Sequence, residues 1–166
     1  GGFIYSAGAG RDKAGQGETN AGEIEETMDD GTKVSRLRAY GSMTYAGFKS
    51  YLYADLKRDD PRVLAAMGWI KDNYTLSENP GMGNSGYYYY LITFSKALRA
   101  YGEPVLDVQE ESGRMKKTDW REDLIKALAA HQKPDGSFEE LDKRWMENNP
   151  VLITAYSLNA IGEALK

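Results

Sequence analysis

Three segments of the chain share one helical pattern, and they constrain the fold more than any other feature. They are Met43–Ala46, Ile92–Ser95 and Ile153–Tyr156, and each places a threonine among apolar and small residues. A helix that is apolar on nearly every side must be buried on nearly every side. Three such helices therefore predict an inner layer that an outer layer covers, in the manner of stacked repeats.

Two other segments have the one-sided pattern of helices at a protein surface. One begins at Asp60-Pro61, an N-cap residue followed by proline at the first helical position. The other begins near Asp119, with Glu122 three residues later as in a capping box. Inner and outer helices thus alternate along the chain. This order predicts an all-α fold of alternating inner and outer antiparallel helices, as in an α/α barrel or a solenoid, in which residues 1–166 form a single repeat domain.

The ends of the three inner helices follow from their cap residues. We expect the first to run from Ser42, as N-cap, to about Leu56. Gly102 and Pro104 are expected to end the third helix of the chain, which begins at Tyr87. Asn149-Pro150 opens the last helix.

The polar segments between these helices are predicted to be loops. Residues from about 7 to 35 are rich in Gly, Glu, Asp, Thr and Lys, and we interpret them as a mobile insertion. Its Asp30-Gly31 pair favours a short hairpin. A second polar stretch, which ends at Thr118, is also expected to be a loop.

Composition excludes several classes of function. The net charge of −4 and the scattered lysines and arginines argue against nucleic-acid binding. The absence of cysteine removes disulfides, thiolate nucleophiles and cysteine-based zinc sites. No run approaches the roughly 20 apolar residues of a membrane span. The compartment stays open, because the chain starts Gly1-Gly2 without Met and is interpreted as a mature form or an excised fragment.

One loop carries a resemblance to a known family. Gln132 closes an outer helix, Asp135-Gly136-Ser137-Phe138 follows, and a helix with Thr154-Ala155-Tyr156 comes next. This order resembles the repeat of terpenoid cyclases and protein prenyltransferases, and most of all that of bacterial prenyltransferase and squalene-oxidase repeat domains. These families are α/α toroids, so the resemblance implies that the chain is a partial α/α toroid, a fragment of a longer one. A structural role explains the motif: Gly136 permits a tight turn, Gln132 bonds the loop backbone, and Phe138 packs on the core.

The resemblance implies isoprenoid chemistry, but the residues of that chemistry are not found. Squalene cyclases protonate an alkene with an Asp-x-Asp-Asp acid, whereas Asp55 with Asp59-Asp60 and the pair Asp29-Asp30 have the wrong spacing. Prenyltransferases bind zinc through Asp, Cys and His, and this chain offers only His131. We therefore predict no metal and no cofactor, and leave catalysis open.

Aromatic residues at one end of the helical layer are the candidate ligand-binding residues. They would suit an isoprenoid or another extended hydrophobic small molecule, although the same rings could simply fill the core. The candidates are Tyr40, Tyr45, Tyr87, Tyr90, Trp145 and Tyr156.

Two other functions and one partner also follow from the sequence. The chain could be a non-catalytic scaffold that binds a protein through the end of the toroid and the 7–35 insertion. It could also be a carbohydrate-active enzyme, with paired carboxylates drawn from Glu147, Glu139 and Asp135. An open toroid would expose apolar surface, which predicts a homodimer that completes the ring.

Overall fold

The structure, a computed structural model, describes residues 1–4, 19–110 and 112–166. Two β-hairpins accompany five α-helices in this part of the chain. The helices are α1 (Gly41–Tyr53), α2 (Pro61–Asp72), α3 (Tyr87–Tyr101), α4 (Trp120–Ala130) and α5 (Pro150–Ala164). The strands are β1 (Glu23–Thr27), β2 (Lys33–Leu37), β3 (Val105–Gln109) and β4 (Met115–Asp119).

The fold is mixed α and β, so the prediction of an all-α toroid is wrong. The strand pairs β1–β2 and β3–β4 form two separate antiparallel sheets. The β3–β4 hairpin occupies the polar stretch that was expected to be a loop. Burial alternates along β3: Leu106 and Val108 are buried in the core, whereas Val105 and Asp107 are exposed. Period-two burial of this kind is what a strand with one buried face produces.

The predicted hairpin at Asp30-Gly31 is present. β1 and β2 pair in register from Glu23 with Leu37 to Thr27 with Lys33, and Gly31 has a positive φ of 83°. Only the later part of the predicted 7–35 insertion can be compared with the structure, since residues 5–18 lie outside the described residues.

Local capping explains where most helices begin. Asp60 accepts a hydrogen bond from the Arg62 amide, Asp119 accepts one from the Arg121 amide, and Asn149 caps α5. The Arg62 side chain also bonds Asp60 and lowers the pKa of that carboxyl to about 2. These three predicted caps are confirmed.

Ser42 does not act as the N-cap of α1. It lies inside the helix, which begins at Gly41 after Tyr40. The amide of Gly41 donates to the Pro80 carbonyl at 2.8 Å, and the amide of Ser42 donates to the Asn79 side chain at 3.0 Å. A distant loop therefore caps this helix.

Helix α3 lies at the centre of the molecule. It packs between α1 and α5, while α2 covers α1, and α4 contacts α5 and α3. Ten of its residues are buried, among them Leu91 and Thr93. Of the three helices that were predicted to form an inner layer, α3 is the one that is buried on most sides, whereas α1 and α5 bury only about as much of their length as the predicted outer helix α2.

Helix α5 departs from the prediction of burial on nearly every side. Leu158 is 61% exposed, and Val151 and Leu165 are 76% and 72% exposed. The buried face of α5 consists mainly of small residues, with Ile153, Ser157 and Ala160 against the neighbouring helices. None of the described helices combines the length and the apolarity needed to cross a membrane.

Candidate functional site

A cavity of about 480 Å³ lies where the N-terminal ends of α1 and α3 meet α5 and the turn that precedes it. Cavities that bind small molecules typically span roughly 300–1,000 Å³ and are mostly apolar. Aromatic rings, methionine thioethers and a few uncharged polar groups form its wall. The lining residues are Asn20, Tyr40, Ser42, Met43, Asn79, Met82, Gly86, Tyr89, Trp145, Met146 and Tyr156.

Asn79 shapes the side of the cavity that α1 provides. Its side chain is buried, and its Oδ1 accepts the Ser42 amide hydrogen at 3.0 Å. Its Nδ2 donates to the Ser85 carbonyl at 3.0 Å and to Ser42 Oγ at 3.3 Å. One amide side chain thus joins the start of α1 to the loop before α3. The first helical turn, which carries Met43, is held in place by these bonds.

Glu147 shapes the side that α3 provides. Its side chain is completely buried, and its two oxygens accept the amide hydrogens of Tyr89 at 2.8 Å and Tyr88 at 3.2 Å. Burial raises the pKa of the Glu147 carboxyl, and the two amide hydrogens oppose that shift. A carboxylate at a helix N-terminus also complements the helix dipole. Glu147 therefore fastens the preceding Trp145-Met146 pair to the start of α3.

Two rings from different helices stand together at the cavity. The ring centroids of Tyr89 and Tyr156 are 6.1 Å apart with their planes tilted by 59°. This geometry is favourable for an aromatic pair. Tyr89 is 38% exposed at the start of α3, so its ring remains available on the cavity side.

The described part of the cavity wall is electrically neutral. Among the described residues that line it, none carries a formal charge. Arg144 touches this wall from outside, since it donates to Asn20 at 2.9 Å and its guanidinium lies 5.0 Å from the centre of the Trp145 ring. Asn79 and Ser42 bond each other. The cavity therefore offers dispersion and burial of apolar surface rather than ion pairing.

Three of the six predicted ligand-binding residues lie at the cavity: Tyr40, Trp145 and Tyr156. The other three, Tyr45, Tyr87 and Tyr90, lie in the hydrophobic core. Tyr45 packs on Phe94 with ring centroids 5.0 Å apart. These three side chains are completely buried, so they build the core beside the cavity instead of lining it.

The hydroxyl groups of the buried tyrosines tether a loop. Tyr87 donates to the Leu76 carbonyl and Tyr90 donates to the Thr75 carbonyl, both at 2.6 Å. Burial raises the pKa of Tyr87 to about 12, so this hydroxyl remains a donor to higher pH than that of an exposed tyrosine. The segment after α2 is thereby fixed against α3, next to Asn79.

The loop that carries the family resemblance is built from its own contacts. Gln132 Nε2 donates to the Gly136 carbonyl at 3.3 Å, and Gly136 has a φ of 86°. Asp135 accepts the Ser137 amide hydrogen at 2.9 Å. Phe138 is buried against Tyr88, with ring centroids 6.1 Å apart. None of these residues lines the cavity.

The three carboxylates considered for carbohydrate chemistry have different partners. Glu147 bonds the start of α3, Asp135 bonds Ser137, and Glu139 lies 3.2 Å from His131 Nδ1. Within the described part of the chain, no three His, Cys, Asp or Glu side chains are grouped as ligands for a metal ion. Each of the three carboxylates therefore has a structural contact of its own.

A larger and more open groove, of about 810 Å³, lies between the segment after α2 and the β3–β4 hairpin. Its lining mixes acidic side chains such as Asp72 and Asp123 with Arg38 and Lys116. The smaller cavity has the apolar, partly enclosed character that small-molecule sites share. We therefore take it as the candidate site.

Sequence reasoning missed most of the cavity wall. Met43, Met82 and Met146 come from three different segments, and only the fold brings them together. The capping contacts of Asn79 and Glu147 span 37 and 58 residues along the chain. Pro80 and Gly81 after Asn79 indicate a turn. No local pattern predicts that the Asn79 side chain binds the distant amide of Ser42.

Comparison with protein-family models, with curated proteins and with solved structures found no match to this chain. Function is therefore inferred from the cavity itself.

Proposed function

We propose that this protein binds a neutral, extended hydrophobic small molecule in the cavity at the N-terminal ends of α1 and α3. One observation carries this proposal. Four aromatic rings and three thioethers surround about 480 Å³, and no described lining residue carries a charge.

Burial of apolar surface supplies the binding free energy of such a site, at about 25 cal/mol per Å² removed from water. Methionine side chains are flexible and polarisable, so they adapt to irregular apolar ligands. A ligand with a charged group would lose its hydration without gaining an ionic partner from the described lining residues. A neutral ligand is therefore favoured over an anionic one.

The resemblance to terpenoid cyclases makes an isoprenoid the first ligand to test. It rests on residues 132–138 and 149–158, and the second of these segments includes Tyr156 at the cavity. We propose binding without a chemical step. Glu147 follows the lining residues Trp145 and Met146, but its carboxyl group already accepts two backbone hydrogen bonds.

Displacement of a neutral fluorescent probe tests this function. N-phenyl-1-naphthylamine should become fluorescent in the presence of the protein, and farnesol should displace it. Farnesyl diphosphate should displace it at least tenfold less well, and maltose not at all, if the neutral wall decides affinity.

Two variants locate the bound probe. Tyr156→Ala removes a ring from the cavity and should weaken binding of both the probe and farnesol. Tyr53→Ala is the control, because Tyr53 is 70% exposed at the end of α1 and does not line the cavity. Equal affinity of Tyr156→Ala and the native chain, or a failure of the native chain to bind, would contradict the proposal.

A second candidate, the predicted self-association of the chain, is favoured by the exposed face of α5. Apolar and small residues recur there at alternating spacings of four and three, which is the heptad pattern of helices that pair in a coiled coil. They are Val151, Ala155, Leu158, Gly162 and Leu165. Glu163 beside this stripe is neutralised by Arg99 and Lys166. A second copy that presents the same stripe antiparallel would cover it by two-fold symmetry.

A further inference from the structure

Two adjacent residues at the cavity have an unfavourable backbone conformation. Outside the glycines, three described residues have a positive φ: Asp55 at 60°, Trp145 at 61° and Met146 at 62°. This left-handed region is disfavoured for residues with large side chains. Strained residues persist only where the surrounding structure holds them, and they cluster at functional sites.

Contacts on both sides hold the Trp145-Met146 pair. Glu147, the next residue, is locked to the start of α3, and the Asn149 amide donates to the Met146 carbonyl at 2.9 Å. On the other side Arg144 bonds Asn20 and lies over the Trp145 ring. The strained turn is therefore fixed at its two ends.

Gly86 provides the space for the Trp145 ring. A Cβ atom at this position would lie 3.3 Å from Trp145 Cδ1. Gly86 itself has a φ of 68°, so it is the residue type that this backbone favours. The loop before α3 thus presents bare backbone to the indole.

The two strained side chains contribute little buried surface to the core. Trp145 is 52% exposed and Met146 is 66% exposed, yet both line the cavity. The turn is held by its neighbours Arg144, Glu147 and Asn149 rather than by burial of these two side chains, which leaves both side chains available to a ligand. We propose that the Trp145-Met146 pair is the specificity-determining wall of the cavity, held in a strained turn so that the indole and the thioether contact the ligand. This inference rests on the proposed function.

Replacement of Trp145 by glycine separates a binding role from a structural one. Glycine adopts a positive φ without steric conflict, so Trp145→Gly should unfold at the same temperature as the native chain or at a higher one. The same change removes the indole and should weaken farnesol binding at least tenfold. A residue that served only the fold would show the opposite pattern, with lower stability and unchanged affinity.

Asp55→Gly is the matched control. Asp55 has nearly the same φ as Trp145, but it lies in the turn after α1 and does not line the cavity. Its side chain forms a surface ion pair with Lys57. This variant should match Trp145→Gly in the direction of its stability change and bind farnesol like the native chain. Trp145→Asn tolerates the left-handed backbone and should repeat the loss of binding. Trp145→Phe should recover most of it.

These variants separate the role of the Trp145-Met146 pair from the proposed function of the cavity. Unchanged farnesol affinity in Trp145→Gly and Trp145→Asn would overturn the role of the strained pair and leave the proposed function standing. A lower unfolding temperature in both variants would also overturn it, because the indole would then stabilise the fold. If the native chain binds neither farnesol nor N-phenyl-1-naphthylamine, the proposed function and this inference fall together.

Discussion

At the scale of single residues, two buried polar side chains organise the candidate site. Asn79 and Glu147 each satisfy backbone groups at the start of a helix that belongs to another part of the chain. Unpaired backbone groups in such a place cost about 1–3 kcal/mol each when they are buried. Their function is to position the cavity wall, and the ligand itself is left to the aromatic and methionine side chains.

The buried carboxyl of Glu147 predicts a pH dependence of stability. Its pKa is raised above the ordinary 4.5 in the folded protein, so the folded state binds the proton more tightly than the unfolded chain. This contribution to stability is fully present below the unfolded pKa and is lost as the pH rises through the folded pKa. As the pH rises above about 4, the native chain should therefore lose unfolding free energy relative to Glu147→Gln.

Urea unfolding at several pH values measures this difference. Asp142 and the tyrosines Tyr88, Tyr89 and Tyr156 are near Glu147, and because both proteins contain them their own titration largely cancels in the comparison. Glu140→Gln, which changes an exposed carboxyl of the same segment, is the control and should leave the curve close to that of the native chain. A difference that stays flat with pH, or that moves in the opposite direction, would refute the raised pKa.

At the scale of secondary-structure elements, the helices could be predicted from local patterns. Cap residues such as Asp60 and Asn149 bond amides two or three positions away, so their effect is visible in the sequence. The β3–β4 hairpin was missed because two buried residues, Leu106 and Val108, are its main apolar signal on β3. Its partner strand is mostly polar, and the burial of Thr118 depends on the packing of the hairpin.

The exposed stripe of α5 predicts self-association at the same scale. If two copies pair through this helix, sedimentation equilibrium should find a dimer for the native chain and a monomer for Leu158→Glu. Ile125→Glu on α4 is the control, since Ile125 is 38% exposed outside the stripe, and it should remain dimeric. A native chain that stays monomeric at high micromolar concentration would exclude this pairing and leave the stripe without a role.

At the scale of the whole molecule, the arrangement of the helices decides which aromatic residues meet the ligand. The sequence pointed to an aromatic end of the helical layer, and Tyr40, Trp145 and Tyr156 do line one cavity. Consecutive tyrosines on α3 point in different directions, so Tyr87, Tyr88 and Tyr90 are buried while Tyr89 reaches the cavity. The choice among them depends on the positions of α1 and α5, which no local pattern specifies.

Methionine-methyl NMR tests the central claim most directly, because the six methionines divide evenly. Met43, Met82 and Met146 line the cavity, whereas Met28, Met67 and Met115 lie elsewhere. With ¹³C-methyl methionine in the native chain, titration with farnesol should shift the first three resonances and leave the other three in place. Shifts confined to Met28, Met67 and Met115, or no shift at any concentration, would contradict a hydrophobic ligand site in this cavity.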